Sequence, residues 1–267
     1  MGKIIAFIKK DFQIFLSYKL FFMLRWAGIV IPVVTFYFIS KFIDQQGNIA
    51  FSEYRGGYFP FVVIGLSVYG YLLVLLRSAS EGMRQEQMYG TLEVIFATPV
   101  KSSIVAISAG LWNSLIALVA MVVCLVTGIL LFKEGIVALD WFALFLTLIM
   151  IVVNFLSIGI LAAAVIVVCK RGDPIAWFAS TFFAFFGGVY YPVSVLPKGF
   201  QKISQFLPIT YAVRALRKVI LAGATSVEIT NELVVLFICA VCLLPLSLII
   251  FSYAVRRAKM SGSLSYY

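Results

Sequence analysis

Six long apolar runs separated by short polar segments organise the chain: Phe21–Phe42, Phe59–Leu76, Ile104–Phe132, Trp141–Val168, Ile175–Val195 and Leu233–Ala254. A helix needs roughly 20 apolar residues to cross the hydrocarbon core of a bilayer. Each run is long enough by that measure, and the third and fourth have residues to spare for tilt. Ahead of them, residues 3–20 follow a helical rhythm. Ile4, Ile8, Phe12 and Phe15 fall on one side, and Lys10, Gln13 and Ser17 on the other. That pattern predicts an amphipathic helix lying in the membrane interface.

Two connecting segments depart from ordinary polar loops. Residues 77–103 begin with a polar, helix-prone stretch from Arg77 to Met88, which Gly90 breaks. Thr91 suits the N-cap of a following short helix, Glu93 in its first turn suits the helix dipole, and Thr98-Pro99 ends it. That short helix carries Leu92, Val94, Ile95 and Phe96, an apolar patch that calls either for a protein partner or for the lipid interface. The second segment, 196–232, follows Gly187-Gly188, which interrupts the fifth run. Pro192, Pro197 and Pro208 punctuate short amphipathic pieces with Phe200, Ile203 and Phe206. A helix is predicted from Pro208 to Leu221 and ended by Gly223. Tyr211, Arg214, Arg217 and Lys218 are expected on one of its faces, where lipid headgroups or an acidic cargo would meet them. The whole segment reads as short helices that re-enter or lie on the outer leaflet, since broken backbone at membrane depth needs protein or a water-filled cavity to cover it.

Composition narrows the class. Of the 267 residues, 63% are hydrophobic and 12% are charged, where a soluble domain carries about 25% charged residues. A water-soluble globular fold and a disordered chain are both excluded. The chain has no His, which removes His-based acid–base or nucleophilic catalysis and the commonest metal ligand. Cys124, Cys169, Cys239 and Cys242 are expected to be plain thiols, because no second pair or His completes a metal site around the C-x-x-C spacing of the last two. The net charge of +10 is spread over few residues, so lipid rather than nucleic acid is the expected partner. Lys9, Lys10 and Asp11 interrupt the first apolar stretch too early for a cleavable signal. No G-x-x-x-x-G-K-[ST] loop occurs in the chain, so it lacks that means of cradling nucleotide phosphates.

With the N-terminus placed in the cytoplasm, twelve of the Lys and Arg residues fall on inner segments and eight on outer ones, with Arg25 inside the first run. This bias places both termini inside. Asn113 and Asn154 lie within apolar runs, where amides face the bundle interior and either bridge helices or line a path. Ala106, Gly110 and Ser114 form a small-residue stripe suited to close helix approach. Tyr69, Tyr71, Tyr190 and Tyr191 suit either an aromatic cargo route or interfacial anchoring.

Glu86, Gly90-Thr91-Leu92-Glu93 and Thr98-Pro99 resemble the cytoplasmic motif of the type-2 ABC transporter permeases, in particular the drug-resistance and nodulation-factor export branch. Gly187-Gly188, Tyr191-Pro192, Leu196-Pro197 and Leu207-Pro208 followed by Tyr211 and Arg214 resemble that family's C-terminal segment, and the resemblance covers essentially the whole chain. It implies an all-α integral membrane protein: a single permease domain over 1–267 with six transmembrane helices, an N-terminal interfacial helix and outer re-entrant helices before the last span. It implies a gating and coupling segment within 77–103, with Glu86, Gly90, Thr91, Leu92, Glu93, Phe96, Thr98 and Pro99 against a separate ABC ATPase subunit. It further implies an outer gate over 187–222, in which Gly187, Gly188, Tyr191, Pro192, Pro197, Pro208, Tyr211 and Arg214 take part. The expected assembly is two permeases, read as a homodimer, with two ATPases in a plasma (inner) membrane. ATP and Mg are bound by the ATPase, and the permease itself is neither an enzyme nor a cofactor carrier. The expected function is export of an amphipathic cargo: a drug, a lipid or a lipid-linked glycan. One departure is that Arg84, Gln85 and Gln87 surround Glu86, where the branch is often more acidic. An ion-coupled secondary transporter is the alternative, although every Asp and Glu falls outside or at the ends of the apolar runs. A non-transporting membrane assembly protein is the other.

Overall fold

The computed structural model describes residues 19–44, 57–88, 102–132, 139–169 and 173–260. Eight α-helices lie among them: α1 (Lys19–Asp44), α2 (Tyr58–Met88), α3 (Ser102–Phe132), α4 (Trp141–Cys169), α5 (Asp173–Phe186), α6 (Lys198–Ser204), α7 (Pro208–Ala222) and α8 (Thr230–Met260). A 3-10 turn at Val193–Val195 precedes α6. The described residues form no strand. The interfacial helix predicted at 3–20 lies outside the described residues, except that Lys19 and Leu20 open α1.

Local chemistry sets the helix ends. Asp140 caps α4, its Oδ1 accepting from the backbone N–H groups of Phe142 and Ala143 at 3.0 and 3.2 Å. Pro208 occupies the first turn of α7, where its missing N–H costs nothing, and Gly223 ends that helix at φ 65°. The predicted stop at Gly223 is met. α2 runs past the second apolar stretch and through the polar residues to Met88, as their helix propensity implies.

The fifth apolar run differs from expectation. The sequence reads as one span over 175–195, but α5 stops at Phe186 and has 14 residues. Its length is about 21 Å, less than the roughly 30 Å of a hydrocarbon core. The two glycines cause the stop. Gly188 has φ +69°, and a Cβ at Gly187 would collide with the Phe183 carbonyl oxygen and sit 2.7 Å from Ile209 Cγ2.

α2 and α4 form the centre. α2 packs on α3, α4, α5 and α7, while α8 lies along α4, and α1 touches only α2 and α3 through its larger contacts. The main core joins Ile64, Val68, Tyr71 and Leu72 of α2 to Ile151 and Phe155 of α4 and to Ile209, Ala212, Val213 and Leu216 of α7. The outward residues are apolar too. Leu115, Val119, Val122, Val126 and Leu130 of α3 make an exposed stripe, and Phe237, Ile238, Val241, Ile249 and Ile250 do the same on α8. A fold that is apolar both inside and outside matches a lipid solvent and not water. Four helical stretches among the described residues are long and apolar enough to cross a bilayer: Trp26–Ile43, Tyr58–Arg77, Trp141–Val167 and Thr230–Arg257. Asn113–Gly128 and Ala176–Phe186 are shorter apolar helical stretches.

Candidate functional site: the α5–α7 segment and its anchor on α2

The segment between α5 and α8 folds back into the bundle. α7 starts against Gly187, whose absent Cβ makes room for Ile209. Its N-terminal half joins the core shared with α2 and α4, whereas Val219 near its C-terminus clusters with Ala143 at the start of α4 and with Ile229 and Leu233. α7 therefore rises from within the bundle toward the end where α4 and α8 begin. Asp140 holds that end as well, since its Oδ2 accepts the Ser226 N–H at 3.3 Å.

One side chain ties this segment to α2. Arg217 is 7% exposed. Its Nε and Nη2 donate to the Phe61 carbonyl at 3.1 and 2.9 Å. Its Nη1 donates to the Gly188 carbonyl at 2.9 Å, and Nη2 also donates to the Val189 carbonyl at 3.1 Å. The guanidinium carbon lies 3.3 Å from the centroid of the Phe61 ring. The Gly188 and Val189 carbonyls follow the C-terminal end of α5, the negative pole of that helix, where a cation is favoured. The planar fork of Arg serves several acceptors at once, which a lysine ammonium does not do in the same geometry. Gly65, one turn beyond Phe61, permits the approach: a Cβ there would strike the Val189 carbonyl oxygen and lie 2.9 Å from Arg217 Nη2.

The expected shared basic face of α7 is thus divided. Arg217 turns into the bundle, because its partners Phe61 and Val189 are on other elements. Arg214 stays exposed, with its guanidinium 5.7 Å from the Tyr211 ring centroid. Lys218 pairs with Glu232 of α8 at 2.8 Å, their side chains being 42% and 5% exposed. Of the other predicted outer residues, Tyr191 donates its hydroxyl to the Phe185 carbonyl at 2.7 Å. Pro192 is buried ahead of the 3-10 turn, Pro197 caps α6 and Pro208 opens α7. Gly187, Gly188, Tyr191 and Pro192 lie together at the α5 turn. Gly65 was missed as a site residue, and Arg217 was expected to meet headgroups or cargo and not to anchor α7 on α2. The only signal for Arg217 was its place on an amphipathic helix, and Gly65 carried none.

The polar groups within the helices bind helices together. Asn154 Nδ2 donates to the carbonyls of Met150, at 2.8 Å, and Leu236 of α8, at 2.9 Å, so this amide bridges α4 and α8. Tyr71 and Ser114 share a hydrogen bond of 2.6 Å between α2 and α3, with the Tyr71 ring stacked on Phe155. Tyr71 is therefore a packing residue, and Ser114 of the small-residue stripe serves contact within the chain. Tyr190 packs between Phe36 and Tyr69, with ring centroids at 5.9 and 6.4 Å. Among the described residues no group of three or more His, Cys, Asp or Glu is placed to hold a metal ion.

Of the residues expected to meet an ATPase, Glu86 lies in the final turn of α2. Gly90, Thr91, Leu92, Glu93, Phe96, Thr98 and Pro99 lie outside the described residues.

Residues 3–221 match the family described as ABC-2 type transporter. The chain is 28% identical over 236 residues to the inner membrane transport permease YadH of Escherichia coli strain K12, an alignment covering 85% of this chain and 90% of that protein. The YadH proteins of Escherichia coli O157:H7 and Shigella flexneri match to the same extent. With apolar helices long enough to span a bilayer and a family match over most of its length, the chain belongs to the ABC-2 type transporter family of membrane permeases.

Proposed function

We propose that the chain is the membrane-spanning subunit of an ATP-driven exporter, working as a homodimer with two copies of a separate ABC ATPase. The observation that carries this reading is the fold-back of α5–α7 and its attachment to α2. α5 is too short to cross alone, α7 rises from within the bundle, and Arg217 ties both to the helix that ends at Met88. A closure at the outer end is thus joined by one 31-residue helix to the segment proposed to meet the ATPase.

On this reading the chain crosses the inner membrane six times, through α1, α2, α3, α4, α8 and α5 completed by the folded-back segment that follows it, with both termini cytoplasmic. The YadH relatives, named as inner membrane permeases, support that location. α6 and α7 are the re-entrant pair. Phe200, Ile203 and Phe206 of the α6 region are exposed and apolar, and Lys198 and Lys202 lie among them, which suits the outer leaflet. Glu86 to Pro99 form the gating and coupling segment, with Gly90, Thr91, Leu92, Glu93 and Phe96 meeting the ATPase. Gly187, Gly188, Tyr191, Pro192, Pro197, Pro208, Tyr211 and Arg214 belong to the outer gate. Hydrolysis on the partner, which holds ATP and Mg, moves the coupling segment and opens a path between the two permeases. The cargo is amphipathic: a drug, a lipid or a lipid-linked glycan.

The test is translocation in vesicles containing the chain together with its ATPase. Movement of a fluorescent phospholipid or an amphipathic dye should require ATP and both subunits. Equal movement by the chain alone without nucleotide would overturn the reading in favour of a channel or an ion-driven carrier.

A further inference from the structure

We infer that Arg217, seated against Gly65, is the latch through which movement of α2 reaches the outer gate; this rests on the exporter reading above. Three observations carry the inference. First, the guanidinium is buried and donates to carbonyls of two separate parts of the chain: the Phe61 carbonyl in the first turn of α2, and the Gly188 and Val189 carbonyls after α5. A buried cation is stable only while its donors are satisfied, so the arrangement is held as a unit or surrendered as a unit. Second, the fit has no slack. Gly65 lets the Val189 carbonyl reach the α2 surface, and any side chain at position 65 would push the α5 turn away. Third, α2 is braced as a rod below this contact. Gly128 of α3 sits against Val63, and Tyr71 is bonded to Ser114, so α2 and α3 are joined at two levels.

The mechanical consequence follows from those contacts. The segment between α2 and α3 is the proposed seat of the ATPase, so both arms of one braced hairpin receive its push. At the other end of α2, the Phe61 carbonyl moves with that hairpin. Arg217 converts the movement into displacement of the Gly188–Val189 turn and of α7 together. Arg217 is thus a positioning residue: it acts on the gate backbone and need not touch cargo. Arg214, exposed over Tyr211, lacks such reach.

The experiment uses the chain assembled with its ATPase in lipid nanodiscs. The four native Cys are replaced, and Val193→Cys is introduced beside Gly188 as a reporter for an impermeant maleimide. Labelling is compared without nucleotide and with the ATPase trapped by ATP and vanadate. In the parent complex trapping should change the labelling rate by about five- to a hundredfold, the usual range of coupling between sites. Arg217→Met and Gly65→Ala should each cut that response to below about twofold while ATP hydrolysis continues. Gly65→Ala retains the guanidinium and so separates the latch from loss of charge. Arg217→Lys keeps charge without the fork and should give at most a partial response. Full responses in both Arg217→Met and Gly65→Ala overturn the latch and leave the exporter reading intact. If neither of these assembles, an Arg217→Lys complex that responds like the parent overturns the latch equally, and one with a diminished response supports it. A parent complex whose outer reporter ignores trapping removes the lever itself and defeats both readings.

Discussion

At the scale of single residues, backbone geometry and buried amides decide most. Gly188 sits at φ +69°, a region that L side chains rarely adopt. Gly188→Ala should therefore cost about 1–2 kcal/mol in detergent unfolding, without any change in charge to explain it. Asn154 bridges α4 and α8, while its Oδ1 accepts from no donor among the described residues. Replacing it by Leu should cost only about 0.5–1 kcal/mol, the modest worth of hydrogen bonds between membrane helices. Thermal denaturation of the two variants side by side checks the ordering. These residues were legible beforehand, since an amide in an apolar run or a Gly-Gly pair marks itself. Arg217 was not. Its inward turn depends on Phe61 and Val189, which lie 156 and 28 positions away. No local pattern separates it from Arg214, three residues earlier on the same helix.

At the scale of elements, hydrophobic patterning located the helices well and their limits less well. The runs beginning at Phe21, Phe59, Ile104, Trp141 and Leu233 fall within α1, α2, α3, α4 and α8. Run length overstated the fifth helix, because Val189 to Val195 carry no charge to mark an end while the glycines before them forbid its continuation. It understated the second, because helix propensity continues where hydrophobicity stops. The junction of α7 with α8 offers an element-scale prediction. Lys218 is partly wet, and Glu232 is buried at its partner end. Lys218→Met should destabilise the protein by about 1–2 kcal/mol, below the cost for a fully buried pair, by leaving the carboxylate without its ammonium. Adding Glu232→Gln should recover part of that loss. A double-mutant cycle on unfolding in detergent measures the recovery, and strictly additive losses would show that the pair contributes nothing.

At the scale of the whole molecule, lipid accounts for the apolar exterior and the proposed topology orders the ends. Cys169 is exposed at the end of α4, and Ser226 lies in the turn pinned by Asp140. In intact cells an impermeant maleimide should label Ser226→Cys, and Cys169 only after permeabilisation. The reverse result would invert the molecule and put the α2–α3 connection out of reach of a cytoplasmic ATPase. The family was legible from two motifs in concert, whereas the union of the α5–α7 segment with α2 required three dimensions to become visible. The central claim, that this permease is driven by a separate ATPase gripping the segment after α2, is tested most directly by affinity purification from membranes. An ABC ATPase should accompany the intact chain and be lost when Gly90-Thr91-Leu92-Glu93 is scrambled, with the scrambled chain still present in the membrane. An ATPase retained at the same ratio after scrambling, or one that never accompanies the intact chain, would contradict it.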